Sequence, residues 1–257
     1  MHQLTNSHWP YPRIVAHRGA GKLAPENTLA AMRCGLEYGF HAVEFDVMLS
    51  ADGVPILMHD PEFGRTIAGS GSVATSSAAQ LMAMDAGSWF GPQFQGECVP
   101  SLQQVLEFCL QQRIWMNIEI KPAPGFEELT GHVVAQATRT FYAEHGASLS
   151  RAEWPLFSSF SLPALKAAQH TAPEIARGVL FERVPANWLG ILQDLQALAL
   201  HTNHQVLTKE LAQQIKAAGY GLFCYTVNQA ERARELLAWG VDGFCTDRID
   251  QIGHDFA

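Results

Sequence analysis

Three carboxylates in short apolar runs are candidate metal ligands. Glu44 and Asp46 stand two positions apart in VEFDV, so in an extended strand their side chains point to the same side. Two carboxylates placed together repel each other unless a cation lies between them. Glu119, in NIEIK, supplies a third carboxylate. A set of hard oxygen ligands without a thiolate favours Mg2+ or Ca2+ over zinc, and the alternative is a solvated acidic pair near a strand edge.

Two histidines are candidate proton-transfer groups for the same site. His17 and His59 titrate near neutral pH, and cleavage of a phosphodiester needs one group to activate the nucleophile and another to protonate the leaving oxygen. Arg18 offers a planar fork suited to two phosphate oxygens, and Lys121 offers a compact charge beside the carboxylates. The alternative for either cation is an ion pair within the protein. The set predicts phosphoryl chemistry.

These polar residues follow or close short apolar runs, and longer amphipathic segments separate the runs. This alternation is typical of βα units around a parallel sheet. It predicts eight pairs, with strands at 13–16, 42–47, 115–120, 155–158, 176–180, 198–201, 221–226 and 240–246. Helical spacing predicts helices at 27–38, 102–112, 127–144, 162–169, 208–218 and 229–239. Asn228 is expected to cap the last helix and Gly240 to end it.

Eight βα units in 257 residues, without a glycine-rich dinucleotide fingerprint, favour a closed barrel over an open doubly wound sheet. The predicted fold is α/β, a (β/α)8 TIM barrel, as a single domain over residues 1–257. Residues 60–100 interrupt the rhythm with glycines and GSWFGPQF, which predicts a small insertion after the second strand. Active sites of such barrels form at the carboxyl ends of the strands, where the polar residues fall.

Composition limits the partners and the compartment. A net charge of -8 leaves no basic face for a polynucleotide, so we expect no nucleic-acid partner. The first residues lack the basic start and apolar core of a secretion signal, and no apolar run reaches the ~18 residues of a membrane span. Five cysteines without a C-x-x-C pair are typical of free thiols in a reducing compartment. We therefore expect a cytoplasmic protein without stable membrane association; its oligomeric state is not indicated.

Several motifs occur together in one order along the chain. They are HRGAGKLAPENT, VEFDVMLSADG, PILMHD, Arg65 with Thr66, NIEIK, SSF, YTVN and GVDGFCTD, and they span about Tyr11 to Ile252. In this combination the chain resembles the glycerophosphodiester phosphodiesterase family. PYPRIVAHRG, KLAPENTLAA and NIEIKP are most similar to the bacterial cytosolic enzyme associated with glycerol-3-phosphate uptake. Two departures from the family pattern, Phe63 for Leu and Tyr225 for Trp, touch no expected ligand.

The resemblance implies a TIM barrel with an insertion, a divalent cation, and a small-molecule substrate. That substrate is a glycerophosphodiester such as glycerophosphocholine or glycerophosphoethanolamine, which is hydrolysed to sn-glycerol 3-phosphate and an alcohol. The implied roles are acid and base for His17 and His59, metal ligation for Glu44, Asp46 and Glu119, and phosphate contact for Arg18 and Lys121.

Other residues are candidates for shaping the substrate pocket. Trp89 lies in the insertion, with burial of its ring against the barrel as the alternative role. Ser159 and Tyr225 lie in the motifs SSF and YTVN near predicted strand ends. Asn228 and Asp247 also match strand-end motifs, and we expect them to act mainly as helix caps.

Two other functions fit parts of the pattern. A sugar-phosphate lyase or isomerase would place its phosphate in glycine-rich loops after strands seven and eight, and NQAERA and TDRID lack that character. A non-catalytic glycerophosphodiester-binding protein would be expected to lose a histidine or a carboxylate, and all are present. The sequence leaves open the head group, the metal, which histidine is acid and which is base, and whether water or a substrate hydroxyl attacks first.

Overall fold

The computed structural model describes residues 9–146 and 148–257. Eight parallel strands close into a barrel because β1 pairs with both β2 and the last strand. A further strand, β3, forms an antiparallel hairpin with β2. In chain order the strands are β1 (Ile14–His17), β2 (Ala42–Leu49), β3 (Pro55–Leu57), β4 (Trp115–Ile120), β5 (Leu156–Ser159), β6 (Ala176–Phe181), β7 (Ala199–Asn203), β8 (Gly221–Tyr225) and β9 (Gly243–Thr246).

Helices connect each barrel strand to the next. They are α1 (Leu29–Glu37), α2 (Ala78–Leu81), α3 (Leu102–Gln111), α4 (Glu127–His145), α5 (Leu162–Thr171), α6 (Trp188–Asp194), α7 (Lys209–Ala217) and α8 (Ala230–Ala238). The short α2 lies in the segment between β3 and α3, and the other seven are the barrel connections. No helix in the described ranges is long and apolar enough to cross a membrane.

The predicted TIM barrel is confirmed, with local differences: the last strand begins at Gly243 rather than at residue 240, and the short α2 was not predicted. The eight predicted βα pairs require a helix after the last strand, and that helix is missing: residues 247–257 form turns after β9. The helix α6 was missed because its seven residues give only two helical turns and its start lacks a side-chain cap. The three residues of β3 are too few for an alternating pattern, so the hairpin was missed as well.

Local sequence determines where several helices begin and end. Thr28 accepts a hydrogen bond from the backbone N–H of Ala31 and so caps α1. The helix therefore begins at Leu29, two residues after the predicted start at residue 27. Ser101 and Gln104 form a capping box at α3. Gly240, at φ +92°, follows the end of α8 as predicted.

A separate apolar cluster fills the amino-terminal end of the barrel. The ring of Trp9 stacks on Phe223, with centroids 5.3 Å apart, and meets Trp115 and His201 edge-on at 6.1 Å and 6.0 Å. Both Trp9 and Trp115 are nearly fully buried. Val15, Ala42, Leu156 and Ala199 belong to the same cluster. The barrel is therefore closed below and the polar residues lie at its other end.

The insertion, residues 60–100, packs with the β2–β3 hairpin around its own small core. That core includes Met48, Ile56, Met58, Ile67, Val73, Leu81 and Val99. One ion pair ties the insertion to α1, where Arg33 Nη2 donates to Glu97 Oε2 at 3.2 Å. The insertion is thus held to the barrel beside the first βα unit.

Candidate active site

Three carboxylates meet at the carboxyl ends of two neighbouring strands. Strand register pairs His17 with Glu44 and, two residues further along β2, Asp46 with Glu119, so β1, β2 and β4 bring these side chains to one end of the barrel. One oxygen from each of Glu44, Asp46 and Glu119 lies within 4.8 Å of the others. Their side chains are at most 12% exposed. This is the cluster that the sequence predicted.

The electrostatics of the cluster fit a hard divalent cation. Burial, together with the nearby Asp46 carboxylate, raises the pKa of Glu44 to about 7. Burial and the same neighbour raise the pKa of Glu119 well above its usual value. Asp46 is also buried, but Lys121 and Arg18 outweigh burial and lower its pKa. Three buried carboxylate oxygens at this spacing form a donor set that a hard divalent cation would satisfy.

His17 is held by a carboxylate from the last strand end. Its Nδ1 lies 2.6 Å from Oδ1 of Asp247, and its Nε2 lies 3.7 Å from Glu44. The other oxygen of Asp247 accepts a hydrogen bond from Asn228 Nδ2 at 2.9 Å. Burial alone would lower the pKa of His17, but the bond to Asp247 and the charge of Glu44 reverse the effect and raise it. The ring is thereby fixed with Nε2 towards the carboxylates.

A glycine allows this approach of β1 to the end of β9. Gly21, at φ +55°, passes so close to Asp247 that a Cβ atom would lie 2.2 Å from its Cα. The next residue, Lys22, donates its backbone N–H to the carbonyl of Asp247 at 2.9 Å. The loop after β1 therefore requires glycine where it meets Asp247.

His59 is held by the residue that follows it. Its Nδ1 lies 2.6 Å from Oδ1 of Asp60. The pKa of His59 is lowered, because burial and the positive charges of Arg18 and Lys121 outweigh Asp46 and Asp60. Both histidines therefore bond a carboxylate through Nδ1, which leaves each Nε2 for exchange with a substrate.

The two cations predicted to contact phosphate lie against the carboxylates. Lys121 Nζ is 3.2 Å from Asp46 Oδ1 and 4.0 Å from Glu119. Arg18 Nη1 donates to Glu26 Oε1 at 2.8 Å. Its Nε lies 3.4 Å from Asp46 and makes no hydrogen bond to any residue that the structure describes. Arg18 has a positive φ of 51°, so its backbone turns sharply away from β1.

These groups surround a cavity of about 190 Å³. Among the site residues predicted from the sequence, His17, Arg18, Glu44, His59, Glu119, Lys121 and Tyr225 line it. Ser159 is buried behind the wall and donates to the carbonyl of Ile120, and its neighbour Ser158 lines the cavity instead. The indole of Trp89 donates to the carbonyl of Ala86 and packs edge-on to Phe90, so it is not brought to this cavity.

The floor of the cavity is polar and uncharged. Asn117 Oδ1, Ser158 Oγ and both ring nitrogens of His201 are buried and have no hydrogen-bond partner within residues 9–146 and 148–257. Burial lowers the pKa of His201 to about 3, so its ring is neutral. A Cβ atom at Gly178 would lie 2.3 Å from Nε2 of His201, so glycine makes room for the ring. Unpaired buried groups of this kind are suited to hydroxyl or water partners.

Sequence reasoning gave the wrong role to two residues. Asn228 does not cap α8, which begins after Gln229 without a side-chain cap. Its side-chain oxygen Oδ1 instead accepts a hydrogen bond from the backbone N–H of Asp247 at 2.8 Å, and Asp247 binds His17 rather than a helix end. The contacts of Asp60 and Asn27 were also missed; Asn27 donates to Asp46 Oδ2 at 2.9 Å. The polar pair HD was the available signal for Asp60.

Comparison with known proteins identifies the family of the chain. Residues 17–251 match the Glycerophosphoryl diester phosphodiesterase family. The chain belongs to this family. A glycerophosphodiester phosphodiesterase of Caldanaerobacter subterraneus is 33% identical over 239 residues, covering 91% of this chain and 93% of the relative. One from Bacillus altitudinis is 30% identical over 246 residues, covering 93% and 96%.

Solved structures of the glycerophosphodiester phosphodiesterase family share the fold. An Oleispira antarctica phosphodiesterase in complex with the product sn-glycerol-3-phosphate has a TM-score of 0.86 and 36% identity, covering 94% of this chain and 95% of that one. A glycerophosphodiester phosphodiesterase from Agrobacterium tumefaciens has a TM-score of 0.75 and 26% identity. The family membership assigns this chain to enzymes that cleave small glycerophosphodiesters.

Proposed function

We propose that this enzyme hydrolyses glycerophosphodiesters such as glycerophosphocholine and glycerophosphoethanolamine to sn-glycerol 3-phosphate and an alcohol, with His17 and His59 as the proton-transfer pair. The observation that carries the proposal is the matched support of the two histidines. Each has Nδ1 within 2.6 Å of a carboxylate. The product complex of the Oleispira antarctica phosphodiesterase supports the same product class for this chain.

The metal site and the phosphate contacts follow from the same cavity. Glu44, Asp46 and Glu119 would hold a divalent cation, Mg2+ or Ca2+, which supplies positive charge to the phosphoryl oxygens. Arg18 and Lys121 border the cavity and bind the non-bridging oxygens as negative charge develops. Once phosphate competes for them, their present contacts with Asp46 weaken.

The two histidines act on opposite ends of the reaction. One accepts at its Nε2 the proton of the attacking water or substrate hydroxyl as its oxygen bonds to phosphorus, and the other delivers a proton from its own Nε2 to the alcohol oxygen whose bond to phosphorus breaks. Asp247 and Asp60 keep the Nδ1 proton in place, which fixes the tautomer of each ring. The order of the two histidines depends on which way the substrate lies.

The test is release of glycerol 3-phosphate from a panel of glycerophosphodiesters with Mg2+, with Ca2+ and after chelation. The proposal expects release across several head groups that stops on chelation and returns with the metal. Phosphorus NMR of early time points separates the two routes, because attack by the neighbouring substrate hydroxyl gives a cyclic phosphate and attack by water does not. Absence of release with either metal would contradict the proposal.

Charge and cysteine content support the proposed setting. We propose that the chain acts as one catalytic domain in the cytoplasm on a small substrate, without a nucleic-acid partner. All five cysteines are free, and three of them are buried. The net charge of -8 disfavours a polyanionic partner.

A further inference from the structure

A chain of ionic contacts runs along the rim of the active site and joins its two sides. On one side, Asp60 binds His59. On the other side, Glu26 binds Arg18. Arg65, in the insertion, lies between these two carboxylates and contacts both. It does not line the cavity itself.

The guanidinium of Arg65 uses three nitrogens at once. Nη1 and Nη2 donate to the two oxygens of Glu26, each at 2.6 Å. Nε donates to Oδ2 of Asp60 at 2.5 Å. A planar guanidinium can donate two parallel hydrogen bonds to one carboxylate and a third to another, a geometry that the compact ammonium of lysine does not match. The contact therefore depends on arginine and not only on positive charge.

Arg65 is one of two partners that orient Asp60. The carboxylate of Asp60 places one oxygen on His59 Nδ1 and the other on Arg65. In the part of the chain that the structure describes, its side chain has no further hydrogen-bond partner. Burial would raise the pKa of Asp60, but Arg65 and His59 together lower it, so the carboxylate stays ionised. Without Arg65, the Asp60 side chain is free to rotate away from the ring.

Arg65 also acts, through Glu26, on Arg18, which is one of the two proposed phosphate contacts. Glu26 Oε1 accepts hydrogen bonds from both Arg65 and Arg18, so Glu26 lies between two arginines. Arg18 in turn lies 3.4 Å from Asp46 of the carboxylate cluster. The position of Arg65 thus influences one proposed proton-transfer group and one proposed phosphate contact.

We propose that Arg65, although 45% exposed and outside the cavity, is a positioning residue that holds Asp60 on His59 and Glu26 on Arg18. The inference rests on the proposed function and adds a group that acts through other residues. It makes turnover depend on how the insertion sits on the barrel. A purely structural role would predict only a loss of stability.

A second arginine provides the matched control. Arg33 is also an exposed arginine, 51% accessible, that pairs with a glutamate across the boundary between α1 and the insertion. Its partner Glu97 also accepts the backbone N–H of Ala30 at 2.7 Å. Among the described residues, neither Arg33 nor Glu97 has a hydrogen bond or ion pair with a histidine, and neither lines the cavity. Arg33→Ala therefore removes a comparable tie between insertion and barrel without disturbing the site.

The experiment compares kcat and KM for glycerophosphocholine in wild type, Arg65→Ala, Arg65→Lys and Arg33→Ala, with Mg2+ present. Arg65→Ala is expected to lower kcat at least about tenfold, as removal of an outer-shell partner typically does. Methylguanidinium added to Arg65→Ala is expected to restore part of the loss, and Arg65→Lys to restore little. Arg33→Ala is expected to stay within about twofold of wild type. Metal binding measured by calorimetry should be the same in all four proteins.

Three results would overturn the inference: unchanged kcat in Arg65→Ala, an equal loss in Arg33→Ala, or equal activity of Arg65→Lys and wild type. If wild type itself releases no glycerol 3-phosphate, the proposed function fails while the positioning role remains testable. Nitrogen-15 NMR of the histidine rings then decides it. His59 should carry its proton on Nδ1 in wild type and exchange between both nitrogens in Arg65→Ala. An unchanged His59 signal would refute the role.

Discussion

The two histidine supports differ in how the fold provides them. Asp247 comes from the end of β9, 230 residues after His17, and is fixed by backbone contacts with the β1 loop and by Asn228. Asp60 is the next residue after His59 and is fixed by the side chain of Arg65. The barrel wall therefore determines one support, and an ion pair with the insertion determines the other. The first is as rigid as the fold, and the second can be removed by one surface substitution.

The largest effect is expected from removing either ring. His17→Ala and His59→Ala should each lower kcat about 10²- to 10⁴-fold, because a positioned acid or base contributes that much to proton transfer. The loss should be similar for both despite their different supports. Steady-state kinetics measure it, with thermal melting and metal titration to show that folding and metal binding persist. A double variant that still turns over would remove both assignments.

The second-largest effect on kcat is expected from the carboxylates that hold the histidines, and it should differ between Asp247 and Asp60. Asp247→Asn should lower kcat about 100-fold, because the amide favours the wrong tautomer of His17 and no mobile side chain can replace it. Asp60→Asn should cost about tenfold, because Asp60 lies in a loop where water can take over the contact. Equal losses in the two variants would contradict the distinction between a support in the barrel wall and one in a loop.

The pH dependence should move in a defined direction. The hydrogen bond that His17 donates to Asp247 raises the pKa of His17 against the lowering effect of burial, so Asp247→Asn should lower that pKa. The limb of the rate profile that reports His17 then shifts to lower pH. The matching limb for His59 should stay in place. Profiles of kcat/KM measured with the metal held constant test this shift.

A third histidine shows what happens without a carboxylate. His201 titrates near pH 6.5 when unfolded and near 3 when folded, so between these values the unfolded state binds more protons. Stability is lost as pH falls through this window, at about 1.4 kcal/mol per pH unit. Between pH 7 and pH 5, wild type should lose about 2 kcal/mol more of its free energy of unfolding than His201→Gln. The free energy of unfolding is measured by denaturant titration at both pH values. An equal loss in wild type and His201→Gln would contradict this prediction.

The smallest effect concerns the insertion's aromatic residue. Trp89 bonds Ala86 and lies outside the cavity, so Trp89→Ala should change kcat/KM by less than about twofold. Its stability should fall modestly, because the ring packs on Phe90. A large rise in KM for one head group alone would show that Trp89 reaches the substrate after all.

The sequence predicted the parts of the site that strand periodicity encodes. Glu44 and Asp46 share a face by spacing alone, and β4 was placed at its observed bounds. The partnership of His17 with Asp247 depends on which strand closes the barrel and on its register, and local patterns do not contain that information. The bonds of Arg65 depend on the fold of an irregular segment with no period to read. Short elements such as α6 failed for the same reason.

The buried indole of Trp9 closes the barrel below the active-site cavity, so the cavity has one open end. Because Trp9 stacks on Phe223 and meets Trp115 edge-on, the amino-terminal end is closed, and among the described residues the cavity opens only towards the strand ends. Substrate must then enter, and products must leave, through the same opening. For the proposed reaction, glycerol 3-phosphate that remains in the cavity excludes the next diester. The enzyme would therefore slow as product accumulates, in competition with substrate, which couples its rate to removal of glycerol 3-phosphate by whatever reaction consumes it.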